Sequence, residues 1–133
     1  STTGNPDGHL VLRGGHRGAN CHPEDVLAAS TELSKSGLAN RLMIDCSHGN
    51  SNKDYRRQAD VLASVADQVG RGSIQLMGVM LESHLVEGNQ KLTSDLSELT
   101  YGQSITDACI SIKTTATLLD SLATSVRELA LAV

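Results

Sequence analysis

Three short apolar runs, each leading into a helical stretch, restrict what this chain can become more than anything else in it. His9–Arg13 (HLVLR) closes on Gly14-Gly15, Leu42–Cys46 (LMIDC) on Ser47-His48, and Ile74–Leu81 (IQLMGVML) on Glu82. After the first, a helix opens at Pro23, carries Val26, Ala29, Leu33 and Leu38 near one face, and stops at Gly37. After the second, Asp54–Val69 repeats Tyr55, Ala59, Leu62, Val65, Ala66 and Val69 at helical steps, with Gly70 and Gly72 behind them. The third run gives way to a long polar loop, Ser83–Gln103. A last helix then starts at Thr114 or Thr115, with a stripe of Leu118, Leu119, Leu122, Val126, Leu129, Ala130 and Val133.

Strands alternating with helices predict an α/β fold with parallel strands and right-handed crossovers. The third run is apolar without alternation, as expected of a strand covered on both faces. Each unit is about 35–45 residues long, near the repeat of a (β/α)8 barrel, which closes with eight units in about 250 residues. With 133 residues in one domain, 1–133, the chain is either a small open sheet or a portion of a barrel.

Composition narrows the function classes. There is no Phe or Trp and only two Tyr, so the core is built from Leu, Val, Ile, Met and Ala. Stacking platforms for nucleic acid are missing. A net charge of −4 leaves no basic footprint, and the clusters Arg13/His16/Arg17 and Lys53/Arg56/Arg57 are too small to make one. Cys21, Cys46 and Cys109 are widely spaced and form no CxxC pair. That argues for free thiols in a reduced, cytoplasmic protein. The apolar runs are too short to span a bilayer, so no membrane partner is expected.

In parallel α/β folds, chemistry gathers beyond the carboxyl ends of the strands. Here the first run ends in Arg13, the second in Asp45-Cys46-Ser47-His48, and the third in Glu82-Ser83-His84. Adjacent strands lie about 4.8 Å apart, so residues leaving their ends can converge. His48 and Glu82 are placed to share a cation, with Asp107 reaching over the same rim. One imidazole and two carboxylates suit Mn, Fe, Co or Zn. Arg13 beside Gly14-Gly15 suits a phosphorylated substrate. Taken singly, each residue has a simpler use: His48 as a satisfied polar group, Glu82 as a solvated turn residue, Asp107 as a cap. The coincidence of three polar strand ends on one rim favours a site.

The wording of the chain resembles a known family. LRGG (Leu12–Gly15), MIDCSHGNSNK (Met43–Lys53), GVMLESHLVEGNQ (Gly78–Gln90) and YGQSITDACI (Tyr101–Ile110) are similar to the last third of a class I 3-deoxy-D-arabino-heptulosonate 7-phosphate (DAHP) synthase. The likeness extends from about His9 into the last helix, nearly the whole chain. It implies the last three β/α units of a TIM (β/α)8 barrel, strands six to eight with their helices. The implied reaction condenses phosphoenolpyruvate with erythrose 4-phosphate and releases phosphate, opening the shikimate route to aromatic amino acids. It implies His48, Glu82 and Asp107 as metal ligands, and Arg13 and His48 as catalytic residues that hold phosphoenolpyruvate. The family's fourth ligand, a cysteine from an early strand, has no counterpart here; Cys21, Cys46 and Cys109 do not match its motif. Most of the phosphate-binding cations and most of the feedback-inhibitor site also lie upstream in the family. The expectation is therefore a carboxy-terminal fragment, inactive alone and self-associating through bare strand edges. Two other readings are a non-catalytic oligomeric module and a small metal-dependent hydrolase built on His48, Glu82 and Asp107.

Overall fold

A computed structural model describes residues 1–5 and 7–132, with side chains to residue 131; Val133, the end of the expected apolar stripe, lies outside them. The elements run β1 (Leu10–Leu12), α1 (Pro23–Lys35), β2 (Leu42–Asp45), α2 (Gln58–Gly70), β3 (Leu76–Met80), β4 (Ser83–His84), β5 (Val86–Asn89), β6 (Gln103–Ser104), β7 (Ile110–Ser111) and α3 (Ile112–Ala132). β1, β2 and β3 form a parallel sheet in sequence order. Leu12 pairs with Ile44, and Ile44 with Val79, so the three carboxyl ends arrive at one level.

The helix limits follow local chemistry. Pro23 sits in the first turn of α1, where its missing N–H costs nothing. Asp25 accepts the His22 N–H at 3.2 Å and closes that end. At the other end Gly37 adopts φ +66°, the Gly37 N–H donates to the Ser34 carbonyl at 3.1 Å, and the Leu38 N–H donates to the Leu33 carbonyl at 3.0 Å. This pattern of two reverse bonds turns the chain out of the helix. It also leaves Leu38 exposed beyond the helix and not on its buried face. Asp54 does not start α2. It caps a single 3₁₀ turn, Tyr55–Arg57, by accepting the Arg56 N–H at 3.1 Å, and the α-helix begins at Gln58.

The core is aliphatic, as the composition requires. Leu42, Ile44 and Cys46 of the central strand region pack with Val26 of α1 and with Leu62 and Val65 of α2, all nearly or wholly buried. Each such Leu or Val contributes about 1.5–3 kcal/mol relative to exposure. Half-buried Leu118 and Leu122 add α3 to this cluster.

Three further expectations change. Ser83–Gln103 is not a structureless loop: β4 pairs in parallel with β7, and β5 in parallel with β6. β7 is thus a fourth parallel segment beside the end of β3. Strands of two residues carry no periodicity to read. It leads directly into α3, which starts at Ile112 and not Thr114, because the Ser111 hydroxyl accepts the Thr114 N–H at 3.1 Å as its cap. Nor is β3 covered on both faces: Met77 is 52% exposed, while Leu10 and Val11 of β1 are 38% and 41% exposed.

Cys21 and Cys46 are buried free thiols; Cys109 is half-buried. Burial first, then the neighbouring Asp45 carboxylate and Cys21, pushes the Cys46 thiol up to about 12. We expect iodoacetamide at pH 8 to label Cys109 in the native protein and Cys46 only after unfolding, as read by peptide mass. The unfolded chain can release the Cys46 proton from near pH 9, whereas the folded chain holds it toward pH 12. Stability therefore falls as pH rises through that window.

Candidate functional site

The carboxyl ends of β1 and β2 are sewn together by amides. Buried Asn50 donates from Nδ2 to the Asp45 carbonyl at 2.8 Å and to the Leu12 carbonyl at 3.0 Å. Its side-chain oxygen accepts the Asn20 N–H at 2.8 Å, and the Asn20 side-chain oxygen accepts the Gly14 N–H at 2.6 Å. The Gly49 N–H donates to the Arg13 carbonyl at 3.0 Å. At this crossing the two backbones touch. A Cβ on Gly14, where φ is +76°, would stand 2.6 Å from the Gly49 carbonyl carbon; one on Gly49 would stand 2.9 Å from Gly14. Only glycine permits that approach.

His48 follows on this anchored segment. Asp45, 2% exposed, accepts the Ser47 N–H at 2.8 Å and the Ser47 hydroxyl at 2.7 Å on Oδ1. Its Oδ2 lies 2.7 Å from His48 Nδ1, which is also 2.7 Å from the Ser47 oxygen. The carboxylate can only accept, so Nδ1 carries the proton and Nε2 presents its lone pair. This is how a carboxylate fixes the tautomer and direction of a metal-binding imidazole. The backbone is left-handed at His48 (φ +46°), Asn52 (+54°) and Lys53 (+60°). The turn is closed by the Lys53 N–H donating to the His48 carbonyl at 2.8 Å.

Glu82 stands between β3 and β4, with Oε1 3.5 Å from His48 Nε2. Its own backbone is gripped by α2: the Glu82 N–H donates to Gln58 Oε1 at 2.8 Å, and Gln58 Nε2 donates to the Glu82 carbonyl at 3.2 Å. Asp107 comes from the segment before β7. That segment is fixed by Gly88 and Cys109 exchanging backbone hydrogen bonds at 2.8 and 3.1 Å, and by Asn89 Nδ2 donating to the Thr106 carbonyl at 2.8 Å. Burial raises the Glu82 pKa; His48 opposes this, and the carboxylates of Asp107 and Asp45 add to it.

One donor atom each from His48, Glu82 and Asp107 lies within 4.8 Å of the others. A first-row cation about 2.1 Å from each donor separates them by at most about 4.2 Å, so a small contraction would seat one. The donor set fits: an oriented imidazole and two carboxylates, one of them half-buried beside it. The same cavity, about 270 Å³, is lined by Arg13, Lys53 and Tyr55 as well. Neither Arg13 nor Lys53 has a carboxylate partner within 4.0 Å among the described residues.

The structure thus brings Arg13, His48, Glu82 and Asp107 into one cavity, with Asp45 and Ser47 behind the imidazole. Sequence reasoning missed Asn20, Asn50, Gln58 and Lys53. Gln58 left a trace, being a polar residue three, four and seven positions before the buried Val61, Leu62 and Val65.

Comparison with known proteins adds to this geometry. The model of a family described as the DAHP synthetase I family matches residues 1–120. A Tyr-sensitive phospho-2-dehydro-3-deoxyheptonate aldolase of Enterobacter agglomerans is 54% identical over 118 residues, covering 89% of this chain and 55% of that protein. The Tyr-sensitive protein of the same name from Escherichia coli (strain K12) is 52% identical over 118 residues, covering 89% of this chain and 33% of that protein. The solved structure of phospho-2-dehydro-3-deoxyheptonate aldolase from Francisella tularensis SCHU S4 matches with a TM-score of 0.90 at 44% identity, over 96% of this chain and 37% of that one. The chain therefore spans between 33% and 55% of the length of these relatives.

Proposed function

Because the chain belongs to the DAHP synthetase I family, we infer that it is the metal-carrying, carboxy-terminal portion of a 3-deoxy-7-phosphoheptulonate synthase. Its elements would be the last units of a TIM barrel. Earlier strands would then cover Leu10 and Val11 of β1 and the open face of β3, which are otherwise exposed. Among the described residues no helix is long and apolar enough to cross a membrane.

The whole protein would join phosphoenolpyruvate to erythrose 4-phosphate. A carbon–carbon bond forms between the terminal methylene carbon of phosphoenolpyruvate and the aldehyde carbon, whose oxygen takes up a proton to become a hydroxyl. Water adds at the neighbouring carbon, and phosphate leaves by C–O cleavage. His48, Glu82 and Asp107 would hold the cation, with Mn, Fe, Co and Zn all suited to the donors. When bound, that cation supplies Lewis acidity to the aldehyde oxygen. Arg13 would pair its planar fork with the anionic end of phosphoenolpyruvate, beside the imidazole that Asp45 orients. Lys53 adds a second positive charge to the cavity, which eases the approach of two anionic substrates. Holding them together replaces a bimolecular encounter by an oriented one.

The observation that carries this reading is the meeting of His48, Glu82 and Asp107 with Arg13 in one cavity. Phosphate release is the test. A full-length protein containing this chain should release one phosphate per phosphoenolpyruvate consumed, only with a divalent metal and erythrose 4-phosphate. The 133-residue chain alone should release none. Turnover by the chain alone overturns the partial-barrel reading, and no release by the full-length protein overturns the synthase reading.

A further inference from the structure

Gln58 has no part in the reaction described above, yet both polar atoms of its buried side chain are engaged. It is 0% exposed, at the first position of α2. An unpaired amide there would bear the full cost of losing its water. Both of its polar atoms are used, and both are used on one residue, Glu82, at 2.8 and 3.2 Å. Because the Glu82 N–H can only donate, the amide orientation is fixed by its partner.

Glu82 needs this grip. It falls in the gap between β3 and β4, where the ladder with β2 has ended: the Cys46 N–H donates to the Met80 carbonyl at 2.9 Å, beyond the last paired residues. On the far side the Glu82 carbonyl accepts from the Ile110 N–H at 2.9 Å. Facing α2, the Gln58 amide supplies the donor and acceptor that another strand would have offered. A binding group must be held to about 0.5 Å by its supporting residues to be effective.

We propose that Gln58 is a positioning residue for the cation site, clamping the Glu82 backbone so that its carboxylate stands opposite His48 Nε2. This rests on the reading of His48, Glu82 and Asp107 as cation ligands. Gln68 offers an internal control. It is also buried on the same helix, but it bonds to the Cys21 carbonyl at 2.8 Å, and its Oε1 has no partner among the described residues.

Titration of the purified full-length protein containing this chain with Mn²⁺, following the free-ion signal by electron paramagnetic resonance, tests the assignment. Gln58→Met should weaken Mn²⁺ binding about 10–100-fold, the usual effect of losing an outer-shell partner. Gln68→Met should lower the metal-free thermal midpoint and leave Mn²⁺ affinity within twofold. Because Gln58→Met can also damage the fold, a second measurement uses the unaltered protein. If clamp and site are coupled, the coupling is reciprocal. Saturating Zn²⁺ should then slow hydrogen exchange at the Glu82 amide more than at the Ile44 amide of the central strand. Unchanged Mn²⁺ affinity in a cooperatively folded Gln58→Met protein, or equal slowing at both amides, overturns the proposal alone. A wild-type protein that takes up no Mn²⁺ overturns the cation site and the proposal together.

Discussion

Gly14→Ala should unfold the chain or leave it barely stable. Two costs coincide at this position. Alanine in the left-handed region that Gly14 occupies, at φ +76°, costs about 1–2 kcal/mol. Its Cβ would also stand 2.6–2.8 Å from three backbone atoms of Gly49 and Asn50, none of which is the tip of a flexible side chain. Forced overpacking adds about 1–3 kcal/mol. The sum is a large share of the roughly 5–15 kcal/mol that holds a domain together. Gly49→Ala meets the same contact from the other side, at 2.9 Å, without the left-handed cost. Urea denaturation followed by circular dichroism should therefore rank wild type above Gly49→Ala, and Gly49→Ala above Gly14→Ala. Gly15→Ala is the control, because a Cβ there meets nothing within 4 Å.

Glu82→Gln and His48→Ala should each lower Mn²⁺ affinity at least about 100-fold, beyond the range for outer-shell partners. In the full-length protein both should abolish phosphate release. Stability should move the other way for Glu82. Burial disfavours its ionised form, the carboxylates of Asp107 and Asp45 add to this, and His48 opposes it. Glu82→Gln removes that charge and keeps the shape, so the metal-free thermal midpoint should not fall. Adding Mn²⁺ should raise the wild-type midpoint and leave that of Glu82→Gln nearly unchanged. A wild-type midpoint indifferent to Mn²⁺ would refute the cation site.

Much of this was readable from residue order. Apolar runs alternating with 3.6-period stretches predict the parallel β1-β2-β3 sheet and its flanking helices. Pro23 and Gly37 mark the limits of α1 because each has one strong backbone preference. Arg13, His48 and Glu82 could be placed on one rim because they leave successive parallel strands. What stayed hidden depends on contacts between distant segments. Asn50 reads as one more polar residue in a turn, and only its bonds to Leu12, Asp45 and Asn20 reveal a tie between two strand ends. Segments 83–84 and 110–111 are strands only because they lie beside each other. Spacing alone puts Leu38 on the apolar face of α1, but the reverse turn at Gly37 carries it off the helical path into solvent.

The backbone crossing at Gly14 and Gly49 has a consequence for how such a molecule can diversify. Neighbouring rim loops in this architecture are usually interchangeable modules, each free to lengthen or change without reference to the next. Here the turns leaving β1 and β2 share a contact too close for any side chain, and the Asn20–Asn50 relay runs through both. They must be inherited, grafted or redesigned as a pair. A chimaera that takes one from a relative with a different turn would lose the footing of the other.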